Sequence, residues 1–194
     1  MRAYDDGREG VLGAILLNPP LGPGAQTMRH LRALSNVVGC ERILVANLFQ
    51  VPTASSLDIS LAGQDIDGWA AARPHIEDVL RQSTDVVLGW GLGGGITGRA
   101  RTRFRAQCSW VMTLLEEPST TRRVWRIGDQ PRHPSRWHQY VSDKHGRATG
   151  ENLEQRLSAV VEPVASGGAE ERPDRSVART GRTAGGMVQA GGRP

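Results

Sequence analysis

Lysine is almost missing from this sequence. Lys144 is the single lysine among 24 basic residues, and the other 23 are arginines. That scarcity removes the usual lysine chemistries, Schiff-base formation and P-loop phosphate binding, unless Lys144 serves, and with them kinase-like and aldolase-like readings. Cysteine is scarce too. Cys40 and Cys108 have no C-x-x-C spacing, so neither a disulfide framework nor a zinc site is expected, which suits a reducing cytoplasm. No run of 18 apolar residues occurs, and the first ten residues carry Asp5, Asp6 and Glu9 where a signal peptide needs a basic start and an apolar centre. A cytoplasmic protein without membrane association is the expectation. The sequence has no G-x-S-x-G and no H-E-x-x-H. His133, His138 and His145 lie five and seven residues apart around Pro134, which is not ligand spacing, so no metal and no cofactor is expected.

The charge that is present is unevenly placed. A GC-rich genome gives the same arginine bias, so the total alone does not make a phosphate binder. Between Thr97 and Arg136, however, nine arginines face three acids, a local +6 that leaves −2 for the rest of a chain whose total is +4. A basic segment in a slightly acidic protein is the footprint of an anionic partner, here a nucleic acid or a nucleotide. Arg101 and Arg105, one helical turn apart, and Arg136 are the candidate contacts to nucleic acid.

Segments of strand length recur along the chain, the continuous apolar run Val11 to Leu17 and then Arg42 to Phe49, Thr84 to Gly89 and Arg122 to Ile127. Between them the spacing predicts helices over Gln26 to Val38, Ile66 to Gln82 with a restart near Pro74, and Arg99 to Leu115, and a last helix over Glu151 to Val161. Strands alternating with helices predict a three-layer α/β/α fold around a central, mostly parallel four-stranded sheet. Its domain covers residues 1–163. From Val164 the composition changes to Gly, Ala, Arg, Pro and Ser, so residues 164–194 read as a disordered tail.

Ligands of parallel sheets lie beyond the carboxyl ends of the strands. Four loops leave that edge with polar or stiffening residues: Asn18-Pro19-Pro20, Asn47-Leu48-Phe49, Trp90-Gly91 and Pro131-Arg132-His133-Pro134-Ser135. Asn18 and Asn47 could equally cap their own loops. Gly89 to Gly94 fits G-x-G-x-x-G, but it follows the third strand and no acid stands at a strand end 20 residues on. It reads as a glycine turn whose N–H groups could meet a phosphate, or as a tight turn only.

These loops resemble the bacterial family of domain of unknown function 1643. That family has Leu-Asn-Pro-Ser, Asn-Leu-Phe, Trp-Gly and Gly-x-Pro-x-His-Pro after successive strands. Here they stand as Leu17-Asn18-Pro19-Pro20, Asn47-Leu48-Phe49, Trp90-Gly91 and Gly128-Asp129-Gln130-Pro131-Arg132-His133-Pro134. Pro20 replaces the usual serine, the loop from Leu21 to Gln26 lacks acids, and Arg136-Trp137 stands for Leu-Tyr. The order of loops is similar, more distantly, to the uracil-DNA glycosylase superfamily. That resemblance implies that Asn18 would position water, Asn47 would read a base edge, and His133 with Ser135 would stabilise the leaving base or the nucleic acid backbone. Asn18 and His133 are thus the catalytic candidates, and Phe49, Trp90, Gly91, Arg132 and Ser135 join Asn47 as candidate substrate contacts. The expectation is a nucleotide- or nucleic-acid-related protein acting as an N-glycosidase. A non-catalytic nucleic-acid or nucleotide-binding module and a hydrolase of a small anionic substrate are the alternatives.

Overall fold

A computed structural model describes residues 10–117, 122–142, 144 and 150–164. Strand β1 (Val11–Leu16) is buried along its whole length, and it is followed by α1 (Ala25–Val38) and β2 (Arg42–Asn47). Three helices then precede β3 (Asp85–Gly89): α2 (Ser56–Ala62), α3 (Asp67–Ala70) and α4 (Arg73–Gln82). The chain continues through α5 (Gly98–Leu115), β4 (Arg123–Ile127), a 3-10 turn at Pro134–Arg136, α6 (Trp137–Tyr140), α7 (Leu153–Ser158) and β5 (Val161–Pro163).

The sheet runs in the order β2-β1-β3-β4-β5. Its first four strands are parallel and β5 is antiparallel to β4. The α/β architecture follows the sequence, but the sheet has five strands rather than four. The correction lies at Val161. The chain turns after α7, and Gly128 N–H donates to Val160 O and Val164 N–H to Val124 O, each at 2.8 Å, so residues 161–163 pair along β4 instead of extending the helix. Pro163, with no N–H, is tolerated because β5 is an edge. The other edge is β2, where His75 of α4 hydrogen-bonds the Val45 carbonyl at 3.0 Å.

Side chains alternate across the sheet and build a core on each face. Ile15, Val86 and Leu88 pack with Trp69, Ile76, Val79 and Val111 under α3, α4 and α5. Leu12, Ala14, Leu16 and Val87 pack with Leu31, Leu34, Trp137 and Leu157 under α1, α6 and α7. The helix α2 was absent from the expectation. Its N-terminus carries a reciprocal cap, with Ser55 Oγ accepting from Asp58 N–H and the Asp58 carboxylate accepting from Ser55 N–H. Among the described residues no helix is long and apolar enough to cross a membrane. Apart from Val164, the tail read from the sequence lies outside the described residues.

The N-terminal ends of β3 and β4 are locked by one carboxylate. Asp85 is fully buried. Its Oδ1 lies 2.8 Å from Arg123 Nε and 2.7 Å from Trp125 Nε1, and its Oδ2 accepts from Arg123 Nη2 at 2.8 Å and Thr84 Oγ1 at 2.9 Å. Cys40 lies beside it, and its thiol is pushed up to about 12 by burial first and by the Asp85 charge second. Replacing Asp85 by Ala strands the Trp125 N–H and unhooks Arg123. Because Arg123 is 51% exposed and can rehydrate, we expect a loss of about 2–3 kcal/mol rather than the roughly 3–5 of a fully buried pair. Thermal denaturation checks this as a fall in Tm of about 5–10 °C. An unchanged midpoint would remove Asp85 from the lock.

Candidate functional site

The strand order reverses direction between β1 and β3, because the chain leaves β1 toward β2 and then crosses back. In open α/β sheets such a switch point opens a crevice at the carboxyl ends of the strands. The loops that converge there are those after β1, β2, β3 and β4.

The first two loops are tied to each other. Leu48 N–H donates to Leu16 O at 2.8 Å and Phe49 N–H to Leu17 O at 2.9 Å, so the chain segments leaving β1 and β2 run side by side. The Asn18 amide nitrogen then reaches Thr53 O at 3.0 Å, Thr53 Oγ1 at 2.9 Å and Pro19 O at 3.0 Å. These contacts use the donor side of Asn18 to clamp the loops and leave Oδ1 as its other polar atom. From below, Gln107 of α5 donates to Leu48 O and Trp69 O and holds the same segment.

The loops after β3 and β4 are fitted together by glycine and proline. A Cβ on Gly89 would come within 2.7 Å of Leu16 Cδ2 and 3.2 Å of Pro134 Cδ, so only glycine lets Pro134 lie over the end of β3. Gly91, at φ +78°, turns its N–H toward Pro131 O. His30 of α1 is fully buried and hydrogen-bonds Pro134 O through Nδ1, which must donate because a carbonyl only accepts. Its Nε2 is buried without a hydrogen-bond partner. Trp137 Nε1 donates to Arg132 O at 2.7 Å and fixes the other side of the turn. His133 caps that turn, its Nδ1 accepting from Ser135 N–H at 3.2 Å and lying 2.9 Å from Ser135 Oγ. An Nδ1 that accepts a backbone N–H carries no proton, so the neutral ring keeps its proton on Nε2. Burial and, second, the nearby Arg136 charge lower the His133 pKa and favour this neutral form.

Two cavities open between the loops. The smaller, about 440 Å³, is walled by Leu16, Pro20, Pro23, Met28 and Val45, with Asn18, Asn47, Thr53, His133 and Ser135 supplying polar groups. The larger, about 840 Å³, is bounded by Trp90, Gly91 to Gly94, Arg132, Arg136, Gln139 and Tyr140. They share Asn18, Ala54, His133 and Ser135, and among the described residues no Asp or Glu lines either one. In the smaller cavity the Asn47 Oδ1 is buried and has no hydrogen-bond partner. At the larger one, Arg132 lies 4.1 Å over the Tyr140 ring and 3.3 Å from Asp129, while Arg136 reaches Gln139 at 3.3 Å. The glycine loop is steadied by Ser60, whose Oγ accepts from Thr97 N–H and donates to Gly95 O. A third cleft of about 690 Å³ lies between α1 and α7 and contains no residue of these four loops.

Asn18, Asn47, Trp90, Gly91, Arg132, His133, Ser135 and Arg136 are therefore gathered around the joined cavities. Trp90 is 95% buried and serves as wall. Phe49 is not part of the site. It is fully buried against Trp69 with ring centroids 4.7 Å apart, in space left by Gly68, because its ring turns under the sheet edge into the core. Arg101 and Arg105 are exposed on α5 and line neither cavity, and Arg101 donates to Ile96 O. Sequence reasoning missed Thr53, Gln139 and Tyr140, and also His30, which holds the loop from behind. Tyr140, four residues after Arg136 on a short helix, was open to detection by its spacing. His145 lies outside the described residues.

The buried His30 and the half-buried His133 both have lowered pKa values. Burial dominates for His30, and the charges of Arg29 and His138 also oppose protonation. The unfolded chain therefore binds protons first as pH falls below about 6.5. Their contribution to stability is complete above that pH and is lost as pH drops toward the depressed native values. Urea midpoints should fall between pH 7.5 and 5. His30→Asn, whose amide can replace the Nδ1–H donor without titrating, should flatten part of that decline. An identical pH profile in the variant would show that His30 does not contribute to it.

The comparisons agree with the loop motifs. The model of the family described as protein of unknown function (DUF1643) matches residues 9–135, a stretch that runs from the entry to β1 through Ser135 and takes in all four loops. No curated protein and no solved structure matches the chain at a significant level. With well over half of its length covered by that model, and with the motif residues gathered around one pair of cavities, the chain belongs to the DUF1643 family.

Proposed function

We propose that the joined cavities recognise a nucleobase and that the protein cleaves the N-glycosidic bond attached to it. The observation that carries this reading is the lining of the smaller cavity, where the side chains of Asn47, Asn18 and His133 meet apolar walls. The apolar walls suit the faces of a flat heterocycle, and the amide suits its edge. On this reading bond breaking precedes attack by water. The C–N electron pair leaves with the base, where the His133 Nε2–H can stabilise the developing anion. Water oriented by Asn18 Oδ1 then adds to the sugar carbon and its proton ends on the base. The similarity of loop order to the uracil-DNA glycosylase superfamily points the same way, as analogy only.

Base release from nucleosides, nucleotides and uracil-containing oligonucleotides, followed by chromatography, tests the reading. His133→Ala should lower kcat about 10²- to 10⁴-fold, with a fall in Tm of at most a few degrees from the lost cap on Ser135. Asn47→Asp should alter which base is accepted. An intact panel after prolonged incubation with the folded protein eliminates the catalytic reading.

A second reading is favoured by the exposed Arg99, Arg101 and Arg105 on α5, away from the cavities. On this reading α5 holds a nucleic acid backbone without chemistry. Affinity for single- or double-stranded nucleic acid should then fall steeply with salt. The double variant Arg101→Ala, Arg105→Ala should reduce the slope of log K against log salt by roughly 0.7–0.9 per lost phosphate contact. An unaltered slope excludes α5 as the contact.

A further inference from the structure

The two cavities differ in chemistry, and the difference describes a ligand with two unlike ends. The smaller is apolar, walled by Leu16, Pro20, Pro23, Met28 and Val45, with the Asn47 side chain in its lining. The larger carries two guanidinium groups, the backbone of Gly91 to Gly94 and, among the described residues, no carboxylate in its lining. Arg132 is held in one orientation between the Tyr140 ring and Asp129, and its side chain is only 26% exposed. Its Nε is buried and has no hydrogen-bond partner. Arg136 meets a neutral group, Gln139. Planar guanidinium donors, one of them held in place, are the chemistry that recognises a phosphoryl group. His133, Ser135 and Asn18 belong to both cavities and mark the junction.

We infer that the site takes a nucleoside 5′-monophosphate, with the base in the Asn47 cavity, the phosphate between Arg132, Arg136 and the Gly91 to Gly94 loop, and the sugar at His133. The inference rests on the nucleobase reading above and adds the phosphate and the size of the substrate. Arg136 and Arg132, the second already paired with Asp129, supply the positive charge that meets the phosphate. A polymer would need a charged track continuing from the mouth, and the arginines available for one, Arg101 and Arg105, line neither cavity. The reaction balances as nucleoside monophosphate plus water giving free base and sugar phosphate. The C1′–N bond breaks with its electrons going to the base, a C1′–O bond forms to water, and the water proton completes the base.

Calorimetric titration of the full chain with matched pairs tests this. The probes are each common nucleoside and its 5′-monophosphate, together with ribose 5-phosphate, inorganic phosphate and a single-stranded oligonucleotide. At least one monophosphate should bind about 10- to 100-fold more tightly than its nucleoside. Arg136→Ala, an exposed position whose loss leaves the fold intact, should bring that ratio close to one while the nucleoside affinity stays. Equal affinity of nucleoside and monophosphate in the unmodified protein overturns the phosphate site and leaves the base site standing. Oligonucleotide binding that no monophosphate displaces, and that Arg101→Ala weakens, overturns the small substrate in favour of a polymer. Binding of ribose 5-phosphate or phosphate with no discrimination among bases overturns the base reading itself, and an absence of binding by every probe overturns both.

Discussion

The buried hydrogen bond between His30 and the carbonyl of Pro134 is the constraint on which the rest of the site depends. It joins the middle of α1, on one face of the sheet, to the turn that follows β4. It adds an anchor from α1 to a turn that Gly91 N–H, Trp137 Nε1 and the space above Gly89 also hold, and so helps to set where His133 stands relative to Asn18 and Asn47. The bond is made where water is excluded, with the Trp137 ring stacked 6.5 Å from the imidazole. In such surroundings a lost donor is not replaced by solvent. The same burial that strengthens the contact keeps His30 neutral, so structural integrity and protonation state are coupled in one residue.

The polar groups around the cavities divide into those spent on the fold and those left over. The nitrogen of Asn18 is spent on Thr53, and Nδ1 of His133 on Ser135. The Asn47 oxygen and the Arg132 Nε are buried without partners. A protein keeps such groups at a cost only where something offsets it. Because the spent and unspent atoms belong to neighbouring side chains, and in Asn18 and His133 to the same one, rigidity and recognition are built from the same residues. That is the arrangement expected of a site whose geometry must hold within a fraction of an ångström.

Much of the fold was readable from the sequence because the parallel strands are largely enclosed. VLGAIL and DVVLG are buried at every residue, and apart from Asp85 they appear as unbroken apolar runs. The helix α2 escaped because Leu57 and Leu61 point to solvent at 64% and 72% exposure, which inverts the periodicity a reader looks for. Its capping pair Ser55 and Asp58 was the better signal. The strand β5 is three residues long and ends in proline, too short to show a pattern. At the site, loop position was legible and side-chain allegiance was not. Nothing local to Asn18 announces that Thr53, 35 residues away, will take its amide, and nothing local to Phe49 says that Gly68 leaves room for its ring.

The short antiparallel strand has a meaning for how these molecules meet one another. A sheet edge is a template on which another chain can add a strand, and long flat edges invite aggregation. On the β4 side that template is closed after three residues by β5, whose last residue has no N–H to offer. On the β2 side His75 occupies the carbonyl of Val45. Each edge of the sheet thus carries its own obstacle to strand addition, a proline at one and an imidazole at the other.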